Sequence, residues 1–454
     1  MKKPVALVGF MGAGKTTAAR ALGLPVASTD DSVPIELFEQ GEAAFRKREA
    51  HVVEVLLAGT KPPVVDLGGG AVTTPGVREL LEQHATVVWL DVDVETCWDR
   101  VKGSDRPLAQ SYEDFRRLYD ERRPLYEEVA DVKARDVHDV VLAAAGIVVE
   151  PGALQRLGDF VDGPCALVSD PNVAGIHGMD AQLALGTRLQ QTLELPPGEE
   201  AKTLTALDRL WQELRLDRSG TLVALGGGCT TDAAGFAAAA YLRGIAWAPA
   251  PTSLVAQVDA AIGGKTAIDL PQGKNLVGAF HWPARTVVDP WLLQTLPERE
   301  RREGMAEVVK TSLLAGENLH DPLDVRRCAA FKAAICLRDP HDQGERKQLN
   351  LGHTFAHALE AAAAYEGVTH GHAVALGLKA ALKLSGRDTS LVDEVLEPKP
   401  VRVDRERAWA ALQRDKKNVG GELRLVLLHD EGPRWDVPVP ASDVRKALDE
   451  LISG

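Results

Sequence analysis

The chain has 454 residues, of which 45 % are hydrophobic and 26 % charged, and its formal net charge is −13. That length predicts two or three globular domains, and the acidic balance argues against a general nucleic-acid-binding role. Five scattered cysteines, never in a CxxC pair, argue for a reducing compartment and against a disulfide framework or a zinc ribbon. The start, MKKPVALVGFMGAG, leads into GKTT rather than a cleavage site, and no apolar run approaches the roughly 20 residues of a membrane span. We therefore expect a soluble, cytoplasmic protein without nucleic-acid or membrane partners.

Strand and helix patterns alternate along the first part of the chain. A β-branched strand pattern at 5–10 precedes a helical pattern at 16–22. Strand patterns at 63–70 and 86–92 and a charged helical stretch at 113–129 follow. This alternation is typical of a parallel sheet with helices on its faces, so the fold class predicted is α/β.

The alternation restarts after a Pro-Gly pair, which predicts a domain boundary near residues 148–152. Strand patterns at 165–170 and 221–228 then each end in a turn. From about residue 291 the sequence is alanine-rich and the strands nearly vanish, with helical patterns at 298–316, 321–339, 343–364 and 371–386. The prediction is an α/β domain, a second α/β domain and a mostly helical domain, spanning residues 1–150, 151–290 and 291–454.

The first strand leads into a phosphate-binding motif. Gly9, Gly14, Lys15 and Thr16 satisfy G-x-x-x-x-G-K-[ST], with a strand before and a helix after. In such a loop, backbone N–H groups converge on an anion, lysine neutralises the outer phosphates and the hydroxyl binds Mg²⁺. The alternative is a glycine-rich turn with a capping threonine.

Further motifs decide which kind of P-loop protein this is. They are STDDS (28–32), FRKRE (45–49), DLGGGAV (66–72), DRPL (105–108) and ERRPLY (121–126). Their order and spacing resemble shikimate kinase. The resemblance implies catalytic roles for Lys15 and Asp30 and a Mg²⁺ ligand in Thr16. It implies an ATP site formed by Gly12, Ala13, Gly14, Lys15, Thr16, Thr17 and Arg106, and a shikimate site formed by Asp30, Arg46, Gly69 and Arg122.

The chemistry suits these residue types. Arg46 and Arg122 can grip a carboxylate bidentately, while Asp30 can orient the attacking hydroxyl. Two departures from the family stand out: Ser28 occupies the first position of its D-x-D pair, so a carboxylate near the metal is missing, and the segment before FRKRE is shortened. A nucleotide-binding regulatory module that phosphorylates nothing is therefore an alternative for this domain.

A denser series of motifs occupies residues 165–454. They are SDPNVA (169–174), PGEEAKTL (197–204), ALGGGCTTDAAGFAAAAYLRG (224–244), PTSLVAQVDAAIGGKTAIDLPQGKNLVGAF (251–280), EGMAEVVK (303–310), RKQLNLGHTFAH (346–357) and HGHAVALG (370–377). Together they resemble 3-dehydroquinate synthase over nearly this whole length. That family pairs an NAD-binding α/β domain with a helical metal domain, and its active site lies in the cleft between them.

The residues agree with a dinucleotide site. The glycines at 226–228 follow a strand and let the backbone approach a pyrophosphate, and Asp170 and Asn172 can reach a ribose or adenine edge. The resemblance implies that NAD is bound by Asp170, Asn172, Glu199, Lys202, Gly227, Gly228, Cys229, Asp232, Thr252, Ser253, Asp259, Lys265, Lys274 and Asn275. It implies that a heptulosonate phosphate is bound by Arg243, Asp259, Lys265, Asn275, Lys310, Lys332, Arg346, Asn350 and His357. Within these sets Arg243, Lys265, Lys310 and His357 are implied to be catalytic.

The metal argument rests on spacing. His353 and His357 are four residues apart on a helical pattern, so they share one face. One Glu, two His and an open position make a catalytic Zn²⁺-type set, and the alternative is a helix with two ordinary histidines. By the family pattern the ligands of a zinc or cobalt ion are Glu307, His353 and His370, with His357 near the substrate phosphate. His372 replaces a family glutamate, and the sequence leaves open whether it supports a ligand or faces solvent.

These features predict a bifunctional enzyme of the shikimate pathway. One part would convert 3-deoxy-arabino-heptulosonate 7-phosphate to 3-dehydroquinate, with NAD as a transient oxidant and no net redox change. The other would phosphorylate shikimate with ATP and Mg²⁺. A related sugar-phosphate cyclase that makes a different carbocycle is the alternative for the first activity. The expected partners are small molecules, and homo-oligomerisation is left open.

Overall fold

The computed structural model describes residues 3–33, 41–60, 62–104, 109–364, 367–415 and 422–453. The chain divides into two compact units, Met1–Ala145 and Gly146–Gly454. Within the described ranges, no helix is both long and apolar enough to cross a membrane.

The first unit is built on one parallel sheet. Its strands are β1 (Val5–Val8), β2 (Val26–Ser28), β3 (Val64–Asp66), β4 (Thr86–Leu90) and β5 (Val132–Ala134), in the order β2-β3-β1-β4-β5. Its helices are α1 (Lys15–Ala21), α2 (Thr29–Ser32), α3 (Glu42–Glu54), α4 (Pro75–His84), α5 (Val94–Val101), α6 (Tyr112–Val129) and α7 (Val137–Ala145). All four β1 residues are buried, since a central parallel strand is covered on both faces. Parallel strands end at one edge, so the segments that follow β1, β2 and β3 meet there.

The second unit begins with β6 (Ile147–Val149), which pairs in parallel with β13 (Thr286–Val288). These residues therefore belong to the second unit, although the sequence placed them in a first domain ending at residue 150. The main sheet of this unit is parallel, in the order β10-β9-β7-β8, and a two-stranded antiparallel sheet follows it. The strands are β7 (Cys165–Ser169), β8 (Leu189–Glu194), β9 (Thr221–Gly226), β10 (Ala246–Pro251), β11 (Lys265–Leu270) and β12 (Gly273–Phe280).

Helices cover both faces of that sheet. They are α8 (Pro171–Val173), α9 (Met179–Leu185), α10 (Leu204–Glu213) and α11 (Gly228–Ala240). Successive side chains of β7 alternate between two cores: Ala166 clusters with residues of α10 and α11, while Leu167 clusters with residues of α9. The strand is apolar throughout because both of its faces are buried.

The remainder is mostly helical, as predicted. Its helices are α12 (Glu298–Ala315), α13 (Val325–Arg338), α14 (His353–Ala362), α15 (His370–Leu384), α16 (Ser390–Leu396), α17 (Arg405–Asp415) and α18 (Ala441–Asp449). The pattern at 343–364 is divided, because Gly352 adopts φ 80°, a left-handed conformation that ends one helical segment before the next begins.

The prediction that strands nearly vanish after residue 291 was wrong in one place. Strands β14 (Glu422–His429) and β15 (Gly432–Pro440) form an antiparallel hairpin. Inward side chains of β14 join a core with α14 and α18, so tertiary packing holds this hairpin in a helical region. Helical periodicity dominated the surrounding sequence and hid it.

Helices α14 and α15 approach closely at a pair of glycines. A Cβ built on Gly377 would overlap the carbonyl oxygen of Gly352 and would crowd the nitrogen of Ala356. The two helices therefore pack at a distance that no larger residue permits. Both helices begin with a histidine of the predicted metal set, so this contact fixes the spacing of His353 and His370.

We expect Gly377→Ala to lower the free energy of unfolding of the second unit by about 2 kcal/mol or more, because the added methyl group must push the helices apart. Gly175→Ala is the matched control: a Cβ there meets nothing within 4 Å, and we expect a change of under about 0.5 kcal/mol. Urea denaturation monitored by circular dichroism measures both. Equal stability of the two variants would contradict the close-packing interpretation.

Candidate active sites

The P-loop of the first unit follows β1 and leads into α1. Gly12 and Gly14 have φ of 83° and 92°, and a Cβ on Gly12 would overlap the carbonyl oxygen of Cys97. The Lys15 ammonium donates to the carbonyl oxygens of Gly9 and Phe10, at 2.9 and 3.2 Å. The lysine is thus folded over the loop, where an anion bound by the loop would meet it.

The other predicted ATP-site residues divide into three groups. Ala13 is buried in the loop, whereas Thr16 and Thr17 are exposed on α1. Arg106 lies outside the described residues. Arg100, which the sequence analysis missed, donates to the carbonyl oxygen of Gly12 at 3.1 Å and so brings a guanidinium to the loop.

The glycine run at 68–70 brings the predicted shikimate residues together. A Cβ on Gly68 would lie 2.7 Å from the carboxylate of Asp30, and a Cβ on Gly70 would collide with the guanidinium of Arg46. The run therefore passes beneath these side chains at a distance that only glycine allows. The predicted set is assembled around the end of β3.

Arg122 completes this group from α6. Its side chain is 4 % exposed and donates to the carbonyl oxygen of Gly69 at 3.2 Å. Its Nε is buried and has no hydrogen-bond partner among the described residues. A buried guanidinium with an unused donor favours an anionic ligand at this position.

Two acidic residues near this site were missed. Glu49 is buried and accepts from Arg46 at 2.7 Å; burial raises the pKa of its carboxyl, against the lowering effect of Arg46. Asp66, at the end of β3, accepts from the Thr16 hydroxyl at 2.6 Å. Burial likewise raises the pKa of Asp66, while the Thr16 hydrogen bond and the Lys15 charge lower it. An acidic residue two positions before a glycine run was the available signal for Asp66.

The second unit contains a cleft of about 1470 Å³. Most of the predicted NAD- and substrate-binding residues line it: Asp170, Glu199, Lys202, Gly227, Gly228, Cys229, Asp232, Ser253, Asp259, Lys265, Lys274, Asn275, Lys310, Lys332, Arg346, Asn350 and His357. Gly227 and Gly228 lie where β9 gives way to α11, so the helix N-terminus opens into the cleft. This geometry fits the diphosphate of a dinucleotide.

Three predicted residues do not line the cleft. Asn172 is exposed, and its backbone N–H donates to the carboxylate of Asp170. Thr252 is buried, and its backbone N–H donates to Gly226. Arg243 is exposed in the turn after α11, with φ of 66°. The structure of this chain therefore does not bring Arg243 to the other predicted catalytic residues.

Lysine–carboxylate pairs line the cleft. The ammonium-to-carboxylate distances are 2.8 Å for Lys202–Asp232, 2.7 Å for Lys332–Asp259 and 2.7 Å for Lys274–Glu199, and Lys265 also contacts Asp342. Burial alone would raise the pKa of the Asp259 carboxyl, but Lys332 and Lys310 hold it below its usual value. The cations are thus gathered in one pocket of an acidic protein.

The predicted metal ligands converge from three helices. One possible ligand atom from each of Glu307, His353 and His370 lies within 4.8 Å of the other two. The Oε1 atom of Glu307 is 3.4 Å from Nε2 of His353 and 3.5 Å from Nε2 of His370. His357 lies beside them, with its ring 5.7 Å from that of His353.

The imidazoles of His353 and His370 are each oriented by a contact of Nδ1, which leaves Nε2 available to a metal. Nδ1 of His353 lies 3.2 Å from the carbonyl oxygen of Leu351, which can only accept, so Nδ1 carries the proton. Nδ1 of His370 faces the carboxylate of Glu360 at 3.4 Å. Each Nε2 is left facing Glu307, which is the arrangement expected of metal-binding histidines. The residues therefore fit a divalent cation.

Supporting carboxylates were missed by the sequence analysis. Glu360 is buried, and its spacing from His353 and His357 on α14 places all three on one face, a signal that the sequence contained. Glu303 of α12 accepts from the backbone N–H of Gly371 and the hydroxyl of Thr369, both at 2.6 Å. It thereby fixes the first turn of α15, where His370 stands.

Electrostatics in the ligand group reflect its burial. Burial alone would raise the pKa of the Glu307 carboxyl, but Lys310 and His353 hold it well below its usual value. Burial would lower the pKa of His370, yet Glu307 and Glu360 raise it to about 10. The protein thus supplies a carboxylate that stays ionised, and a bound cation would replace the imidazolium proton as its partner.

His372 does not join the ligand group. Its Nε2 lies 2.7 Å from the carbonyl oxygen of Lys399, so it donates there. The contact ties the start of α15 to the segment before α17. His372 therefore contacts the backbone at Lys399 and neither a metal ligand nor solvent alone.

Both units are similar to known protein families. Three family models cover residues 11–149 (shikimate kinase), 192–303 (3-dehydroquinate synthase N-terminal) and 304–418 (3-dehydroquinate synthase C-terminal). The 3-dehydroquinate synthase of Salinibacter ruber is 39 % identical over 332 residues, which is 65 % of this chain and 90 % of the relative. The 3-dehydroquinate synthase of Bordetella pertussis is 38 % identical over 67 % of this chain and 95 % of the relative.

A solved structure is also similar to the second unit. It is 2-deoxy-scyllo-inosose synthase complexed with carbaglucose-6-phosphate, NAD⁺ and Co²⁺. The TM-score is 0.60 at 26 % identity, over 67 % of this chain and 96 % of that one.

We expect His370→Ala to lose stoichiometric zinc or cobalt, with a loss of affinity beyond the roughly 10–100-fold typical of supporting residues. His372→Gln should keep the metal, because the glutamine amide can still donate to the carbonyl oxygen of Lys399. Metal analysis of the purified variants measures both. Loss of metal from His372→Gln, with retention in His370→Ala, would show that the ligand assignment is wrong.

Proposed function

Since the chain belongs to the 3-dehydroquinate synthase family and carries a shikimate kinase domain, we propose that it catalyses two reactions of the shikimate pathway. The second unit would cyclise 3-deoxy-arabino-heptulosonate 7-phosphate to 3-dehydroquinate with elimination of phosphate. The first unit would transfer the terminal phosphoryl group of ATP to shikimate.

One observation carries the proposal for the second unit. Glu307, His353 and His370 converge beside a cleft that is also lined by the start of α11 and by a cluster of lysines. A metal, a dinucleotide and a phosphorylated acid each need one of these features. The similar solved structure holds NAD⁺, Co²⁺ and a sugar phosphate analogue, which supports the same set of ligands here.

The protein's own residues have distinct tasks in the synthase. NAD would supply a hydride acceptor, and Zn²⁺ or Co²⁺, held by Glu307, His353 and His370, would polarise the hydroxyl being oxidised. The N-terminus of α11 would hold the dinucleotide diphosphate. Lys310 and Lys332 would neutralise the substrate's anionic groups, and both already contact Asp259, which keeps them in place.

In the kinase, the residues act by position and charge. Lys15 and the backbone N–H groups of the P-loop would hold the phosphates, and Thr16 would hold Mg²⁺, which would neutralise phosphate charge. The unused Nε of Arg122 supports a carboxylate ligand at the glycine run. With the carboxylate of shikimate on the arginines, Asp30 would orient its attacking hydroxyl toward the phosphates.

Two alternatives are tested by activity assays. The similar solved structure is a 2-deoxy-scyllo-inosose synthase, whereas the curated relatives at 38–39 % identity are 3-dehydroquinate synthases, which favours the dehydroquinate product. Phosphate release from the heptulosonate, with identification of the carbocycle, decides between them. ATP-dependent phosphorylation of shikimate decides whether the first unit is a kinase or a regulatory module.

We expect Lys15→Ala to reduce shikimate phosphorylation by about 100-fold or more, because a charge that stabilises the transferring phosphoryl group is lost. Dehydroquinate formation should stay within about threefold of wild type, since Lys15 lies in the first unit. Both rates are measured on the same purified variant. Loss of both activities in a folded protein would show that the units are catalytically coupled.

Asp30→Asn should reduce shikimate phosphorylation by about 100-fold, the effect expected when a group that orients a proton-bearing nucleophile is neutralised. Asp31→Asn is the matched control, because the neighbouring carboxylate is exposed and no hydrogen bond to it is described in the region covered by the structure. We expect its rate to fall less than about threefold. The reverse order of the two effects would place the substrate aspartate at residue 31.

A further inference from the structure

Ser28 leaves the kinase site without the metal-side carboxylate that the sequence pattern called for. Ser28 ends β2, and in the parallel register of β2 with β3 its partner is Asp66. The residue directly across from the missing carboxylate is therefore itself an aspartate. Both positions lie at the edge of the sheet where the P-loop also lies, because β3 pairs with β1.

Asp66 already contacts the predicted Mg²⁺ ligand. The Thr16 hydroxyl donates to Oδ2 of Asp66 at 2.6 Å, a distance typical of a hydrogen bond to an ionised carboxylate. A threonine hydroxyl has one proton and two lone pairs, so donation to Asp66 leaves its oxygen free to accept a cation. The hydrogen bond thus fixes Thr16 in the state that binds metal.

Burial distinguishes Asp66 from a surface acid. Asp66 is 4 % exposed, whereas Thr16 is exposed on the first turn of α1. The buried carboxylate therefore holds the hydroxyl of a residue that lies at the surface beside the P-loop. In P-loop enzymes generally, Mg²⁺ is held by the loop hydroxyl together with an aspartate at a strand end.

We propose that Asp66 replaces, from the neighbouring strand, the carboxylate that Ser28 lacks, and that it positions Thr16 and the water shell of Mg²⁺ in the nucleotide complex. The inference rests on the proposed kinase function only in assigning a P-loop nucleotide to this site. It makes Asp66 a positioning residue: it acts on the metal through Thr16 and bound water. The metal-side carboxylate is then not lost at Ser28 but provided by the adjacent strand.

The test measures metal binding directly. Mn²⁺ is titrated into the full chain with saturating ADP, after the Glu307, His353 and His370 group has been loaded with Zn²⁺, and free Mn²⁺ is followed by electron paramagnetic resonance. We expect Asp66→Asn to weaken Mn²⁺ binding about tenfold or more, as for other residues that support a metal ligand. The affinity for ADP without metal should change less than about threefold. A structural defect near the P-loop would instead weaken ADP binding even without metal.

A matched control and a rescue variant sharpen the test. Asp91 directly follows β4, on the other side of β1, and its carboxylate pairs with Lys133 at 2.6 Å. Asp91→Asn should leave Mn²⁺ binding unchanged. Ser28→Asp introduced into an Asp66→Ala chain should recover most of the Mn²⁺ affinity, since it returns a carboxylate to the adjacent strand end.

Two results would overturn the proposal, and a third would overturn only the kinase assignment. Unchanged Mn²⁺ affinity in Asp66→Asn, shown by thermal melting to be folded, excludes a role for the carboxylate. Failure of Ser28→Asp to recover affinity shows that the two strand ends are not equivalent. A wild-type chain that binds Mn²⁺ with ADP but leaves shikimate unphosphorylated overturns the kinase proposal alone, because the effect of Asp66→Asn on Mn²⁺ is read without shikimate.

Discussion

The buried carboxylate of Glu307 is the constraint on which the helical part of the second unit depends. Removing an ion from water costs several kcal/mol even after the protein relaxes, so such a group needs charged or donor partners on every side. Lys310 of its own helix and the imidazoles of His353 and His370 provide them. Helices α12, α14 and α15 therefore each bring a charged or donor group to one buried carboxylate.

Close backbone approach serves both units in the same way. In the first unit, the glycine run at 68–70 lets Asp30, Arg46 and Arg122 gather over the main chain. In the second, Gly352 and Gly377 let two histidine-bearing helices touch. Functional side chains can converge only where the scaffold beneath them takes up little space. Each site therefore depends on residues that have no functional group of their own.

Much of this arrangement could be predicted from the sequence. The P-loop has a fixed spacing on a strand–helix junction, and Glu307, His353 and His370 lie in motifs whose order is diagnostic. What the sequence could not supply is contact between distant positions. Asp66 meets Thr16 only through strand register, and Glu303 meets Gly371 only because α12 packs on α15. The hairpin of β14 and β15 was hidden for a related reason, since its stability comes from a core shared with helices.

That shared core has a consequence for how the second unit responds to its metal. Phe355 and Leu359 of α14 pack in one cluster with Leu423 and Leu425 of β14, while His353 opens the same helix at the metal group. A cation that binds only the native state stabilises whatever must be folded for it to bind. Occupancy of the metal site is therefore linked thermodynamically to the hairpin, and amide protons of β14 would exchange more slowly in the loaded protein. Amide exchange in β14, which contributes no metal ligand, would therefore report on metal binding.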